Sequence, residues 1–165
     1  MNPPRMLDQK VLEVEFSLAL VRFLRHFNLV ELNLGAAISH LKNAKDPKTT
    51  YPSLANMSLE KKLGEFGTLV RNRVEMSDED ASMLNAWIEL GHTARETRNL
   101  YIHGYWDLLP MRIEKPLSLH APPWMRDKLG MASDRMMSIE ELAAIGDSME
   151  SLLQQLNTLR RKLGV

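Results

Sequence analysis

The sequence predicts an all-α protein: an up-and-down four-helix bundle with one long irregular segment before its last helix. Three observations predict it. Four stretches carry apolar residues at alternating spacings of three and four, the mark of a helix packed lengthwise on partners. The chain has 165 residues, a length that suits one domain rather than two. Prolines gather in the remaining stretch, at Pro110, Pro116, Pro122 and Pro123, and exclude a continuous helix there.

The first element runs from about Asp8 to Ala44. Phe16, Leu20, Phe23, Phe27, Val30, Leu34, Ala37 and Leu41 line one face of it. Unbroken, such a helix is roughly 50 Å long. Glu15, Arg22, Arg25 and Glu31 lie mostly off that stripe. Gly35 is expected to mark a bend or a close crossing. NAKDPKTTYPSLAN, residues 43–56, holds two prolines and a cluster of small polar residues, and reads as a loop.

Ser58 is a candidate N-cap for the second helix. Its seam is Leu59, Leu63, Phe66 and Val70, with Gly64 and Gly67 near one side, where a neighbouring backbone can come close. Ser77 and the carboxylates of Asp78, Glu79 and Asp80 open the third helix at the positive end of its dipole. Leu84, Trp87, Gly91 and Ala94 form its seam. From Gly104 to Met137 the periodicity is lost. Within it MRIEKPLSLH, residues 111–120, alternates weakly and suits a short hairpin strand. A connection this long is unusual in a compact domain and is often functional. SIEE, residues 138–141, is a capping box for the last helix. That helix carries Leu142, Ile145, Met149, Leu152, Leu156, Leu159 and Leu163, and ends on Arg160, Arg161 and Lys162, where positive charge is favoured.

Composition removes several function classes. The 21 basic and 21 acidic residues cancel to a formal net charge of zero, unlike the basic stripe of a dedicated duplex-DNA binder. There is no cysteine, hence no disulfide framework and no thiolate metal site. No apolar run is long enough to span a bilayer, and MNPPRMLDQK lacks the apolar core of a secretory signal. The expectation is a single cytoplasmic domain over residues 1–165, with no membrane partner, no cofactor and no metal. The 11 methionines read as adaptable core fillers.

One stretch breaks the apolar rhythm. After Leu84, Trp87, Gly91 and Ala94 the third seam next reaches Arg98, followed by Tyr101 and Tyr105. A guanidinium facing a bundle interior is costly unless a charge, a carbonyl or a water-lined cavity receives it. Asn99 and His103, four apart, share one face if the helix continues. Arg98 and His103, five apart, differ by roughly 140° on an ideal helix. They converge if the helix ends near Tyr101, which Gly104 would allow. They also converge across a symmetric dimer. A histidine and an arginine suit RNA cleavage without a metal. The imidazole takes the proton of a 2′-hydroxyl as that oxygen attacks phosphorus. The guanidinium meets the charge that builds on the phosphoryl oxygens.

R-N-L-Y-I-H, Arg98 to His103, is an R-x4-H motif with a polar residue after the arginine. It resembles the motif of the HEPN superfamily, helical-bundle proteins that include many metal-independent RNases of toxin–antitoxin and phage-defence systems. H-G-Y, His103 to Tyr105, extends the match to the R-x4-H-x-Y form of HEPN toxins paired with MNT nucleotidyltransferase antitoxins. The resemblance implies an up-and-down bundle, a homodimer with both motifs in a cleft at the interface, and an RNA substrate cut to a 2′,3′-cyclic phosphate. It implies catalytic Arg98 and His103, supported by Asn99. It implies that Tyr105 is the residue an antitoxin of nucleotidyltransferase type modifies, with Trp106 beside it at the site. The long proline-containing segment after Trp106 departs from the compact toxin pattern.

Structural readings stand beside these. Arg98 can bridge to a carboxylate such as Glu89 or Glu96, and His103 can cap carbonyls. Tyr105 and Trp106 can be core or interface aromatics. On this account the chain is a non-catalytic helical module for dimerisation or binding. A third reading uses Arg98 alone to bind a nucleotide or phosphate. His92 reads as solvated and His26 and His40 as non-ligating. His120 reads as a loop histidine without a partner. Arg71 and Arg73 read as a solvated helix end or as a hold on an RNA backbone.

Overall fold

The structure, a computed structural model, describes residues 6–42, 49–125 and 134–164. It is mostly α-helical, as the seams predict. In chain order it contains α1 (Gln9–Leu41), α2 (Tyr51–Ala55), α3 (Leu59–Arg73), α4 (Asp78–His103), β1 (Tyr105–Leu108), β2 (Leu117–His120), β3 (Asp134–Met137) and α5 (Ile139–Leu163). Parts of the expected loop and of the expected insert, residues 43–48 and 126–133, lie outside the described residues.

The helix starts follow from local chemistry. Asp8 Oδ1 accepts from the backbone N–H groups of Lys10 at 2.8 Å and Val11 at 3.2 Å, opening α1. Ser58 Oγ accepts from the Lys61 N–H at 3.3 Å and opens α3. Ser77 Oγ accepts from the Asp80 N–H at 3.2 Å ahead of α4. Both limbs of the capping box open α5: the Glu141 N–H donates to Ser138 Oγ at 3.1 Å, and the Ser138 N–H donates to Glu141 Oε2 at 2.7 Å. These bonds satisfy N–H groups that have no partner inside their own helix.

Two stretches expected to lack regular structure need correction. The stretch read as a loop contains α2, whose proline sits in the first turn, where no helical N–H is lost. Buried Leu54 anchors it. The stretch read as irregular contains an antiparallel three-stranded sheet in the order β1-β2-β3. Only LSLH of the expected hairpin segment is strand. Pro110, Pro116, Pro122 and Pro123 all fall between strands, where no ladder bond is lost. Strands of four residues are too short for a period of two to stand out in sequence.

The chain forms two compact units, Met1–Arg25 with Glu96–Ser148, and His26–Arg95 with Met149–Val165. The second is helical. Its core joins Phe27, Val30, Leu34, Leu63, Phe66, Val70, Leu84, Trp87, Leu152, Leu156 and Leu159. The Trp87 ring meets Phe66 edge-on at 5.8 Å, and its indole N–H donates to the Leu152 carbonyl at 3.0 Å. Lys62 pairs with Glu31 at 2.5 Å, and Arg73 reaches the Leu41 carbonyl. So α3 advances along α1 in the same sense, where a strict up-and-down order expects the opposite. The chain turns back earlier, through α2, which shares a groove with residues 28–36 of α1. Asn85 accepts from Arg71, while Gly91 lies against Leu63, so α4 returns antiparallel to α3. A Cβ on Gly67 would stand 2.8 Å from Ile88 Cδ1, and one on Gly91 2.7 Å from Leu63 Cδ2, so both glycines serve a close approach. Gly35 and Gly64 have open space there instead.

The first unit carries the sheet. Its core joins Leu12, Ala19, Phe23, Leu100, Tyr101, Leu117, Leu119, Met137 and Leu142. No described helix is long and apolar enough to cross a membrane.

Candidate active site at the end of helix α4

The R-x4-H stretch occupies the last turns of α4, and the helix runs unbroken to His103. The early end near Tyr101 that would let Arg98 and His103 meet within one chain is absent. The two are five residues apart on a continuous helix, so their side chains leave its axis roughly 140° apart. Arg98 is half-buried, and its Nη1 donates to Asn99 Oδ1 at 3.2 Å. His103 is exposed at the helix C-terminus. Asn99 and His103 share a helical strip at a spacing of four, as expected.

Gly104 links α4 directly to β1, and its reason differs from the one expected. Its φ is not positive. A Cβ there would stand 2.5 Å from the Leu100 carbonyl oxygen, 2.5 Å from Leu119 Cδ1 and 3.2 Å from the His120 carbonyl oxygen. The chain leaves the helix against the backbone of β2, and only glycine is small enough at that point.

The β1–β2 register then sorts the residues by face. Tyr105 opposes His120, Trp106 opposes Leu119, Asp107 opposes Ser118 and Leu108 opposes Leu117. Alternation puts Trp106, Leu108, Leu117 and Leu119 on one face and Tyr105, Asp107, Ser118 and His120 on the other. On the apolar face the Trp106 ring lies 5.2 Å from Phe16 and 5.2 Å from Tyr101, and its N–H donates to the Tyr101 carbonyl at 3.1 Å. Trp106 therefore braces the strand on the helices. Tyr101 is buried under it, and burial pushes its phenol up to about 12. Its hydroxyl has no hydrogen-bond partner among the described residues.

The polar face holds a cluster that sequence reasoning missed. His120 Nε2 lies 3.2 Å from Asp107 Oδ2 and 3.2 Å from Ser118 Oγ. The Tyr105 ring stands 5.9 Å from the His120 ring, and its hydroxyl donates to Asp107, which raises the phenol above its ordinary range. His120 is thus not a lone loop histidine: it lies in β2 with two polar partners. The polar positions of Y-W-D and L-S-L-H recur every second residue, which was the available signal. Carboxylate and hydroxyl share one ring nitrogen, so a serine–histidine–aspartate relay, which needs both nitrogens, is not built here. Tyr105 itself is 66 % exposed.

Comparison with family models, with curated proteins and with solved structures finds no match to this chain.

Proposed function

We propose that the protein is a metal-independent endoribonuclease of HEPN type, acting as a homodimer in which Arg98 of one chain works with His103 of the other. The observation that carries this reading is Arg98 itself: a cation at an apolar seam position, bonded to Asn99, five residues before an exposed histidine on the same helix. The R-x4-H spacing supports it. The continuous helix favours the two-chain form over a one-chain site. In the reaction His103 takes the 2′-hydroxyl proton, and the 2′-oxygen bonds to phosphorus. The bond from phosphorus to the 5′-oxygen breaks. That oxygen gains a proton from water, and a 2′,3′-cyclic phosphate remains. Arg98 meets the charge on the phosphoryl oxygens. The exposure of Tyr105 supports its use by a nucleotidyltransferase antitoxin, although its bond to Asp107 must then be released.

The test is RNA cleavage in excess chelator. Wild type cuts and leaves cyclic-phosphate ends, while His103→Ala and Arg98→Ala each lose roughly 100-fold or more. Mixing the two inactive variants restores about one quarter of wild-type activity. Half of the re-paired dimers are then mixed, and each of those has one intact site of two. Cleavage by the variants at the wild-type rate removes the reading. Active wild type with no restoration on mixing removes only its two-chain form. A second reading, a non-catalytic helical interaction module, is favoured by the same angular separation of Arg98 and His103. It predicts no cleavage by any form.

A further inference from the structure

Within the helical unit α1, α2 and α3 frame an open groove of about 540 Å³. Clefts of roughly 300–1,000 Å³ are the ones that bury small ligands. Its floor is flat, because Gly35, Ala36 and Ala55 line it and none carries a side chain beyond Cβ. Glycine inside a long helix is destabilising, yet a Cβ on Gly35 would meet nothing within 4 Å. The fold does not need the space that Gly35 leaves, and that space belongs to the groove. Tyr51 lines the same groove and is 54 % exposed, so an aromatic ring is available for stacking. The polar end is a buried ion pair with capacity left over. Lys62, 7 % exposed, gives one N–H to Glu31 Oε1 at 2.5 Å. An ammonium has three donors and a carboxylate accepts on both oxygens. Among the described residues neither group has a further polar partner.

We propose that this groove binds a uracil base, laid flat over Gly35 and stacked on Tyr51, with its hydrogen-bonding edge on the Lys62–Glu31 pair. Asn28 also lines the groove, one turn before Glu31 on the same strip of α1. Glu31 is bonded to Lys62 and neighbours Asn28, so the polar end presents a donor, an acceptor and an amide donor in that order. The edge of uracil is the complement: a carbonyl, a ring N–H and a second carbonyl. Cytosine puts an amino donor where Lys62 needs an acceptor, or leaves Glu31 facing a bare ring nitrogen. The ion pair also selects a neutral ligand, since an anionic head is repelled by Glu31 and a cationic one by Lys62. An apolar helix laid in the groove would cover the pair and leave its unused donors and acceptor unfilled, which is costly. A free nucleoside and a base of single-stranded RNA offer the same edge. The groove uses none of the residues of the Arg98–His103 reading.

Amide NMR of the full chain, titrated with uridine, cytidine, N3-methyluridine and an oligouridine strand, tests it. Uridine is expected to shift the amides around Gly35 and Tyr51 saturably. N3-methyluridine, which lacks the ring donor, binds ~10-fold more weakly through loss of a hydrogen bond to a charged group, and cytidine is weakened at least as much. Tyr51→Ala weakens uridine ~10-fold through lost stacking. Gly35→Leu fills the slot and removes binding. Both variants keep the helical circular dichroism of wild type, because Tyr51 is exposed and the space beside Gly35 is open. An oligouridine that shifts the same amides at much lower concentration than uridine makes the source an RNA strand, and equal affinity makes it the free nucleoside. No saturable shift at the groove with uridine or the strand, equal binding of N3-methyluridine, or binding undiminished in Gly35→Leu overturns the proposal. Binding at the groove by a chain that leaves RNA uncut sinks the nuclease reading and keeps this one, and cleavage without such binding does the reverse.

Discussion

The helical unit and the sheet-bearing unit are built by different rules. In the helical unit nearly every buried residue repeats at three or four along its own helix, and two of the polar groups that go inside, those of Lys62 and Trp87, find partners on other helices. Lys62, only 7 % exposed, meets Glu31 at 2.5 Å, and the Trp87 N–H meets the Leu152 carbonyl. In the sheet-bearing unit the strands are four residues long and one buried hydroxyl, that of Tyr101, goes unbonded among the described residues. The same unit holds the arginine on an apolar seam and the polar Tyr105–Asp107–His120 face. Departures from local regularity therefore gather in one unit, where a functional site is expected to be found.

The strongest way to break this contrast is at Trp87. Trp87→Ala removes a fully buried indole and leaves the Leu152 carbonyl without its donor, so it should cost about 3–5 kcal/mol. Urea denaturation measures it, and a loss below about 1 kcal/mol would mean the helical unit is not close-packed around that ring.

Next in size is Gly104→Ala. The added methyl meets backbone oxygens of Leu100 and His120 that cannot swing aside, and a cost of about 1–3 kcal/mol is expected. Gly35→Ala is the matched control in the helical unit. Its Cβ meets nothing within 4 Å, so the change should stabilise by about 0.5–1 kcal/mol. Equal effects at the two glycines would erase the distinction between a glycine kept for close approach and one merely tolerated.

The smallest effect sharpens the comparison at Tyr101. Its unbonded hydroxyl predicts that Tyr101→Phe is neutral or stabilises by up to about 1 kcal/mol at neutral pH. Its phenol is raised from 10.0 to about 12 by burial. A group whose folded value is raised contributes stability below the unfolded value and loses it as pH climbs through the folded one. Wild type should therefore lose stability between about pH 10 and 12, with a late rise in tyrosinate absorbance. Tyr101→Phe should lack that late rise and unfold less steeply. Tyrosinate absorbance that is complete near pH 10 would show that water reaches the hydroxyl.

Much of the fold was legible because helices advertise themselves over many residues. The seams ending at Leu41, Val70 and Leu163, and the caps at Ser58, Ser77 and Ser138, are each a local signal repeated or reinforced along one segment. Of the strands only β2 showed, as the weak alternation that ends in LSLH; four residues give two repeats at most, and the partners lie far along the chain: Trp106 opposes Leu119, and Leu119 opposes Arg135. The R-x4-H residues were visible as an arginine out of rhythm. Asp107, Ser118 and His120 were not, since only strand register sets them side by side.

The division has a physical root. The sequence by itself determined the helical class, the cap positions, the inward faces and the anomaly at Arg98, because those depend on interactions within one or two turns. The tertiary structure decided that α4 continues to His103, that Gly104 is needed for contact rather than for a left-handed turn, and that His120 has partners. It also decided that a groove opens over Gly35. Each of these depends on which surface of another segment arrives at that place, and no periodicity within a single segment records that.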